Sequence, residues 1–231
     1  MLVSWDFMRN DSPIIIVNLK AYEQGYGADG FDLCKIMEEI SIEYNVNLAA
    51  AVSAIDLVDF SDNLKIPIFA QHVDGVNYGS HTGSILPEAV RYSGAVGTLV
   101  NHAECQMSWE EIEKTINRCK ELGLSTVLCT ADLESSEKGA HFNPDMIAVE
   151  PPELIGGDIS VSTAKPEIIS DTVEIVKKIN SDIAVLCGAG VKNQDDISKA
   201  ISLGSQGILL ASGVVKSSEP RKVLLDLIKG L

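Results

Sequence analysis

Short apolar runs alternate with longer amphipathic stretches along the whole chain. The runs are rich in Val, Ile, Leu and Ala, which is typical of buried strands. They predict eight strands, near residues 14–19, 47–52, 66–70, 95–100, 125–129, 146–149, 183–187 and 207–211. The runs lack the in-out alternation of a half-exposed strand, so both faces of the sheet should be covered. This pattern favours parallel strands with helices outside them.

The stretches between the strands predict helices. After Ser108, apolar residues recur three or four positions apart, as one buried helical face requires, and Ser108 with Glu111 matches a capping box. Comparable signals predict further helices near 29–44, 54–62, 86–93, 165–179, 193–204 and 218–228. The link 131–145 is short, so we expect a shortened fifth outer helix, down to a single turn.

Eight strand–helix units over this length predict an α/β fold, a single (β/α)8 or TIM barrel over residues 13–231. An open doubly wound sheet is the alternative, but no G-x-G-x-x-G motif follows the first strand. No repeat or linker marks a second domain. Residues 1–12 form an N-terminal extension, for which three alternatives are open: disorder, a cover over the barrel floor, or an upstream start with Met8 as another initiator.

The chain carries 33 acidic and 18 basic residues, a formal charge of -15. This charge disfavours binding to nucleic acid and to anionic membranes, and an anionic ligand would need a locally positive pocket.

No signal peptide or membrane-spanning run is present in the sequence, so a cytoplasmic protein is expected. The five cysteines form no CxxC pair and predict reduced core residues, and the four histidines have no spacing typical of a metal site.

Polar residues follow several predicted strands at the end where a barrel opens. Because the carboxyl ends of barrel strands face one mouth, residues distant in sequence can converge there. The candidates are Asn18, Lys20, Asn101, His102, Glu104, Glu150, Gly188–Gly190 and Ala211–Gly213.

Glu150 is the strongest single candidate. It follows an apolar run and precedes Pro151-Pro152, with Gly156-Gly157 further along, so a rigid carboxylate would lie beneath a hinged loop. A carboxylate in a closed, dry pocket can act as a base near neutral pH. The alternative is an ordinary strand exit whose acid is solvated.

The remaining candidates complete a site for proton transfer on a small phosphorylated carbonyl compound. Lys20 could neutralise an oxyanion, and His102 and Asn18 could donate hydrogen bonds to it. Phosphate could bind backbone amides, where side chains are small and helices begin, at Gly190, Ala211 and Ser212.

Several motifs together resemble the triosephosphate isomerase family, in particular its compact archaeal-type branch, over residues 14–231. The motifs are Val17-Asn18-Leu19-Lys20, Gln71-His72-Val73-Asp74, Gly79-Ser80-His81-Thr82-Gly83, Asn101-His102-Ala103-Glu104, Ala148-Val149-Glu150-Pro151-Pro152-Glu153-Leu154-Ile155-Gly156, Cys187-Gly188-Ala189-Gly190 and Leu210-Ala211-Ser212-Gly213. The resemblance implies interconversion of dihydroxyacetone phosphate and D-glyceraldehyde 3-phosphate in glycolysis and gluconeogenesis. It implies Glu150 as base and His102 as neutral electrophile, which is the family's known role for this histidine. Lys20 and Asn18 would polarise the substrate.

The same resemblance implies further partners of the site. Glu104 would pair with Lys20, and Ile155 and Gly156 in the loop would join the phosphate site. Thr82 would reach into a neighbouring subunit of a homodimer or homotetramer. Neither a metal nor an organic cofactor is implied.

Departures from the family pattern lie beside the site. Ala103 replaces a serine, which removes one hydrogen bond near His102. Gly156-Gly157-Asp158 replaces the usual Gly-Thr-Gly, and Asp158 should point outward because it would repel a phosphate dianion. Two rival interpretations are another phosphate-binding barrel enzyme, such as a synthase or sugar isomerase, and a catalytically silent barrel that senses a phosphosugar.

Overall fold

The computed structural model describes residues 12–151 and 160–231. Eight parallel strands each pair with the next, and the eighth pairs with the first, which closes a barrel. The strands are β1 (Ile14–Asn18), β2 (Asn47–Val52), β3 (Ile68–Ala70), β4 (Gly97–Val100), β5 (Ser125–Thr130), β6 (Met146–Val149), β7 (Ala184–Cys187) and β8 (Gly207–Leu210). The predicted (β/α)8 barrel is confirmed, and β2 and β6 have the predicted bounds. The predictions for residues 1–11 lie outside the described residues.

Helices surround the barrel. They are α1 (Gly27–Tyr44), α2 (Leu57–Asn63), α3 (Pro87–Tyr92), α4 (Trp109–Glu121), α5 (Leu133–Ala140), α6 (Val161–Ala164), α7 (Pro166–Ile179), α8 (Gln194–Ser202), α9 (Ser212–Val215) and α10 (Pro220–Leu227). The capping box predicted for Ser108 and Glu111 is confirmed at the start of α4. Within the two described ranges, no helix is both long and apolar enough to cross a bilayer.

The fifth outer helix, α5, is shorter than its neighbours α4 and α7, as predicted. The prediction that it is reduced to a single turn was wrong. Helix α5 has 8 residues, about two turns. Asp132 and Ser135 form a capping box, in which the Ser135 N–H donates to Asp132 Oδ1 at 2.8 Å. This cap stabilises the start of a helix that periodicity alone does not predict. Sequence patterns also missed the one-turn helices α6 and α9.

Side chains from alternate strand residues fill the barrel interior. This interior cluster consists of Ile14, Ile16, Ala49, Ala51, Phe69, Leu99, Val127, Cys129, Met146, Ala148, Leu186 and Leu209. Gly97 makes room for the largest of them, because a Cβ there would lie 2.7 Å from the Phe69 ring. The other strand residues pack beneath the helices, so both faces of the sheet are buried.

The alternation of side-chain direction along each strand also determines which residues reach the mouth of the barrel. Ile14 and Ile16 point inward, so Asn18, two residues on, also faces the interior at the carboxyl end of β1. Met146 and Ala148 bring Glu150 to the corresponding place beyond β6. Both polar side chains are buried, at 4% and 5% exposure.

Candidate active site

A cleft opens at the carboxyl end of the barrel. It is lined from several strand ends, by Asn18, Lys20, Tyr22, His102, Glu150, Gly190, Ala211 and Ser212 among others. The fold therefore brings together the residues that the sequence places after the first, fourth, sixth, seventh and eighth strands.

Lys20 is held in the cleft from several directions. Its Nζ lies 2.8 Å from Glu104 Oε1, and its side chain is only 9% exposed. Its backbone has a left-handed φ of 51°, which a non-glycine residue adopts only when neighbours fix it. Asn18 Oδ1 accepts the Lys20 N–H at 3.0 Å, and Gln71 Nε2 donates to the Lys20 carbonyl at 3.0 Å. These contacts fix the backbone of Lys20, and the ion pair with Glu104 fixes its ammonium group.

The tautomer of His102 follows from one hydrogen bond. The backbone N–H of Glu104 donates to His102 Nδ1 at 3.1 Å, so this nitrogen carries no proton. A neutral ring then has its proton on Nε2, which lies 3.9 Å from Glu150 Oε2. Burial lowers the pKa of His102, and the charge of Lys20 lowers it further, while Glu104 partly opposes them. The side chain is therefore a neutral hydrogen-bond donor facing the cleft.

Asn101 fixes the loop that carries His102. It has a left-handed φ of 60°, which asparagine tolerates better than most residues. Its Nδ2 donates to the Cys129 carbonyl at 3.0 Å, and its Oδ1 accepts the Met107 N–H at 2.9 Å. These bonds tie the β4–α4 loop to β5. The sequence pattern included Asn101 as a candidate but gave no indication of this tether.

Glu150 is a buried carboxylate, and no Lys or Arg of the described residues forms an ion pair with it. Its N–H donates to the Thr130 carbonyl at 2.7 Å, which continues the sheet pairing to the edge of the mouth. Among the described residues, its Oε2 atom is buried and has no hydrogen-bond partner. Burial raises the pKa of Glu150 to about 7, because a hydrogen bond from Cys129 and the charge of Lys20 only partly offset the loss of hydration. The carboxyl group can therefore accept and return a proton near neutral pH.

Two neighbours of Glu150 have roles that the sequence pattern missed. Cys129 was predicted as a core cysteine, and its burial is confirmed, but its thiol also hydrogen-bonds the Glu150 carboxylate. Gly188 follows β7, where its N–H donates to the Val149 carbonyl at 3.0 Å. A Cβ on Gly188 would lie 2.2 Å from Glu150 Cγ, so only glycine leaves the carboxylate where it is.

The opposite side of the cleft is mostly backbone. Gly190 has a φ of 73°, and Ala211 precedes the first residue of α9, Ser212. Tyr22, which the sequence pattern did not identify, also lines the cleft, and Lys216 Nζ lies 4.3 Å from the centre of its ring. Ile155, Gly156 and Asp158 lie outside the described residues.

Other predicted residues lie away from the cleft. Thr82 is exposed in the long loop after β3 and does not line the cleft. Cys105 is exposed, so its prediction as a core residue was wrong: it lies in a surface loop, whereas the other four cysteines are buried. Across 12–151 and 160–231, no group of three or more His, Cys, Asp or Glu residues is arranged to hold a metal ion.

Comparison with known proteins decides the family. The family model described as triosephosphate isomerase matches residues 13–231. The chain belongs to the triosephosphate isomerase family. It is 46% identical to the triosephosphate isomerases of Methanocaldococcus jannaschii, over 94% of this chain and 99% of that protein, and of Methanothermobacter thermautotrophicus, over 96% and 97%. The same identity relates it to the enzyme of Methanobacterium bryantii, over 94% of this chain and 96% of that protein.

These relatives confirm the predicted family and its archaeal-type branch, and the chain is an isomerase. Membership in the triosephosphate isomerase family also disfavours the two rival interpretations, another phosphate-binding barrel enzyme and a silent phosphosugar sensor.

Proposed function

We propose that the chain interconverts dihydroxyacetone phosphate and D-glyceraldehyde 3-phosphate through an enediol or enediolate, in glycolysis and gluconeogenesis. The observation that carries this proposal is the convergence of an ammonium, a neutral imidazole and a buried carboxylate on one cleft, from Lys20, His102 and Glu150. Each of the three groups serves a different part of one proton transfer next to a carbonyl.

Glu150 acts as the base. Its carboxylate removes a proton from the carbon beside the substrate carbonyl, and the resulting carboxylic acid returns a proton to the neighbouring carbon. A pKa of about 7 suits both directions, because neither the protonated nor the ionised form is strongly favoured at neutral pH. The Oε2 atom, which has no hydrogen-bond partner within residues 12–151 and 160–231, supports this assignment, since it is the oxygen that faces His102 across the cleft.

His102, Lys20 and Asn18 stabilise the charge that develops on the substrate oxygen. The His102 Nε2–H donates to that oxygen, and the Lys20 ammonium attracts it. Fixed donors of this kind favour the transition state because they need no reorganisation as the charge forms. The ion pair with Glu104, at 2.8 Å, and the hydrogen bonds around the Lys20 backbone keep the ammonium in place.

The phosphate binds the backbone side of the cleft, at Gly190, Ala211 and Ser212. Peptide N–H groups there supply a local positive potential in a chain whose formal charge is -15. By family resemblance, Ile155 and Gly156 of the loop after β6 complete this site when the loop covers the substrate. Asp158, which departs from the family pattern, should point outward because it would repel the phosphate dianion.

The working unit is a homo-oligomer in the cytoplasm, with a homodimer as the basic assembly and a homotetramer as the alternative. The loop that carries Thr82 supports self-association, because Tyr78 in the same loop is 75% exposed and would lose its contact with water against a second subunit. No nucleic acid or membrane partner is proposed.

A coupled assay with Glu150→Gln and Glu150→Asp tests the mechanism. We expect Glu150→Gln to lose about 10²- to 10⁴-fold in kcat, and Glu150→Asp to keep part of the activity because a displaced carboxylate remains. In the wild type, kcat/KM should fall as the pH drops below about 7, where Glu150 becomes protonated, and Glu150→Gln should lack this dependence.

Wild-type activity in Glu150→Gln would remove the carboxylate from the mechanism. If the wild-type protein binds 2-phosphoglycolate but turns over neither triose phosphate, the chain is a sensor and the proposed activity is wrong.

A further inference from the structure

A groove lies on the outside of the barrel between its first and last α-helices. Helices α1 and α10 form its walls, and its volume is about 1100 Å³. The apolar side chains that line it are Ile36, Tyr44, Val46, Val223, Leu225 and Ile228. None of the described residues that line it belongs to the loop that carries Thr82, for which self-association is proposed above.

The groove arises because α10 carries more apolar residues than the barrel covers. Five of the six residues 223–228 are apolar, but a helix places only every third or fourth residue on its buried face. Leu224 and Leu227 occupy that face and are buried. Leu225 and Ile228 lie at adjoining positions, line the groove and stay partly exposed.

One arginine joins the two walls of the groove. Arg221 on α10 donates from Nη1 to Glu39 Oε2 and from Nη2 to Glu43 Oε2, each at 2.9 Å, and both glutamates lie on α1. The planar guanidinium fixes the directions of both hydrogen bonds. This pairing sets how α1 and α10 lie against each other and keeps the groove between them.

The described part of the chain begins at one end of this groove. Ser12 is the first described residue, and its carbonyl accepts a hydrogen bond from Asn47 Nδ2 at 3.3 Å. The residue before Asn47, Val46, lines the groove. The eleven residues ahead of Ser12 could span about 36 Å when extended, whereas α10 is about 12 Å long. This segment is therefore long enough to reach every part of the groove.

Residues 1–11 carry the side chains that an apolar groove binds. They include Leu2, Val3, Trp5, Phe7 and Met8. Val3, Trp5 and Phe7 alternate with polar residues, so an extended segment would present all three on one side. Solvated tails contain few aromatic residues, whereas a bound tryptophan removes a large apolar area from water. The segment precedes the family match over 13–231, so the family pattern gives it no role.

We propose that residues 1–11 bind in the groove between α1 and α10 of the same chain, with Trp5 as the main apolar contact. The barrel closes where β8 pairs with β1, and α1 and α10 are helices that come after these two strands. A segment bound to both helices holds the first and last units of the barrel together. It stabilises the folded chain because apolar surface of the segment and of the groove leaves water. This inference does not depend on the proposed isomerase activity.

Tryptophan fluorescence of the full chain tests the contact. Trp5 and Trp109 are the two tryptophans, so Trp109→Phe leaves Trp5 as the sole emitter. We expect its emission to lie at shorter wavelength than that of N-acetyltryptophanamide, and acrylamide to quench it more weakly, since a bound indole ring is shielded from water. Ile36→Gln and Leu225→Gln, two variants of the groove, should each move both values toward those of the free amide.

Ile42→Gln is the matched control for Ile36→Gln. It makes the same change on the same helix, at a side chain that is 64% exposed and does not line the groove. The emission and the quenching of Trp5 should stay as they are without the Ile42→Gln change.

A double-mutant cycle on thermal unfolding measures the same contact. Trp5→Ser should lower the Tm by about 4 °C, because it removes a partly buried side chain from a chain of this size. In the Ile36→Gln background the same change should lower the Tm much less, since the contact is already weakened. In the Ile42→Gln background the full loss should remain.

Three outcomes would overturn the proposal. If Trp5 emits and is quenched like the free amide, the segment is not bound. If Trp5→Ser lowers the Tm equally in the wild type and in the folded Ile36→Gln and Leu225→Gln variants, Trp5 contacts something other than this groove. A lower molar mass for Trp5→Ser than for the wild type, measured by light scattering, would show that the segment joins two copies of the chain instead.

Discussion

His102 lies between two glutamates at nearly equal distances. Its Nδ1 is 3.8 Å from Glu104 Oε2, and its Nε2 is 3.9 Å from Glu150 Oε2. The β4–α4 loop leaves the Glu104 side chain 58% exposed and ion-paired with Lys20, whereas the end of β6 leaves Glu150 only 5% exposed. Distance to the histidine therefore does not distinguish the two carboxylates.

Hydration does distinguish them. A solvated carboxylate that is paired with a cation serves best to position that cation. A buried carboxylate loses the hydration that favours its charged form, so it can take up a proton near neutral pH. We infer that burial assigns the base to Glu150 and the positioning role to Glu104.

The largest effect should come from Gly188→Ala, which disturbs the buried glutamate more than any other group. The new methyl group would lie 2.2 Å from Glu150 Cγ, so the carboxylate must move. A displacement of about 1 Å at a reacting group can cost about 10²-fold in rate, and we expect at least this loss in kcat with a smaller change in KM. Steady-state kinetics of the coupled reaction measure both.

Gly213→Ala is the matched control. Gly213 lines the same cleft, but a Cβ there would only touch the Val191 carbonyl at 3.8 Å, an ordinary contact. Comparable losses in the two variants would mean that crowding of the cleft, and not displacement of Glu150, lowers the rate.

The next effect concerns stability. The pKa of Glu150 in the folded protein, about 7, lies above its ordinary value of 4.5, so the folded state holds the proton more tightly than the unfolded state. The stability that Glu150 contributes is therefore present below pH 4.5 and is lost as the pH rises through about 7. This shift corresponds to a loss of roughly 3 kcal/mol in the free energy of unfolding of the wild type, and Glu150→Gln should not show this loss.

Urea unfolding at pH 5 and pH 8.5 checks this expectation. The free energy of unfolding of Glu150→Gln should rise relative to that of the wild type as the pH rises, by an amount approaching about 3 kcal/mol. If the difference in free energy of unfolding between Glu150→Gln and the wild type did not change with pH, burial would not penalise the ionised form of Glu150.

The sequence predicts the barrel and the residues at its mouth because both depend on local periodicity. Eight continuously apolar runs require a sheet covered on both faces. Side chains point to opposite faces at successive positions of a strand, and this fixes which residue faces the mouth. Asn18 and Glu150 could therefore be placed from strand ends alone. Helix α5 shows the limit of this approach, since its start depends on a cap at Asp132 and not on an apolar face.

Contacts between strands could not be predicted in this way. The need for glycine at 188 arises only because β7 lies beside Glu150, and the hydrogen bond from Cys129 arises because β5 and β6 are neighbours. Cys105 was grouped with the core cysteines because composition does not distinguish a thiol in a loop from one in a strand. These features depend on tertiary geometry, which no single segment of sequence carries.

The smallest effect should come from Glu104→Gln, which removes the charge of the exposed glutamate. Its backbone N–H still donates to His102 Nδ1, so the histidine tautomer is kept. Lys20 loses its ion partner, and its ammonium should be less well positioned. We expect kcat/KM to fall about tenfold, a smaller loss than for a displaced base. Glu104→Asp should recover part of it, and Glu113→Gln, an exposed change on α4, should have no effect. A loss as large as that of Glu150→Gln would show that burial does not separate the roles of the two glutamates.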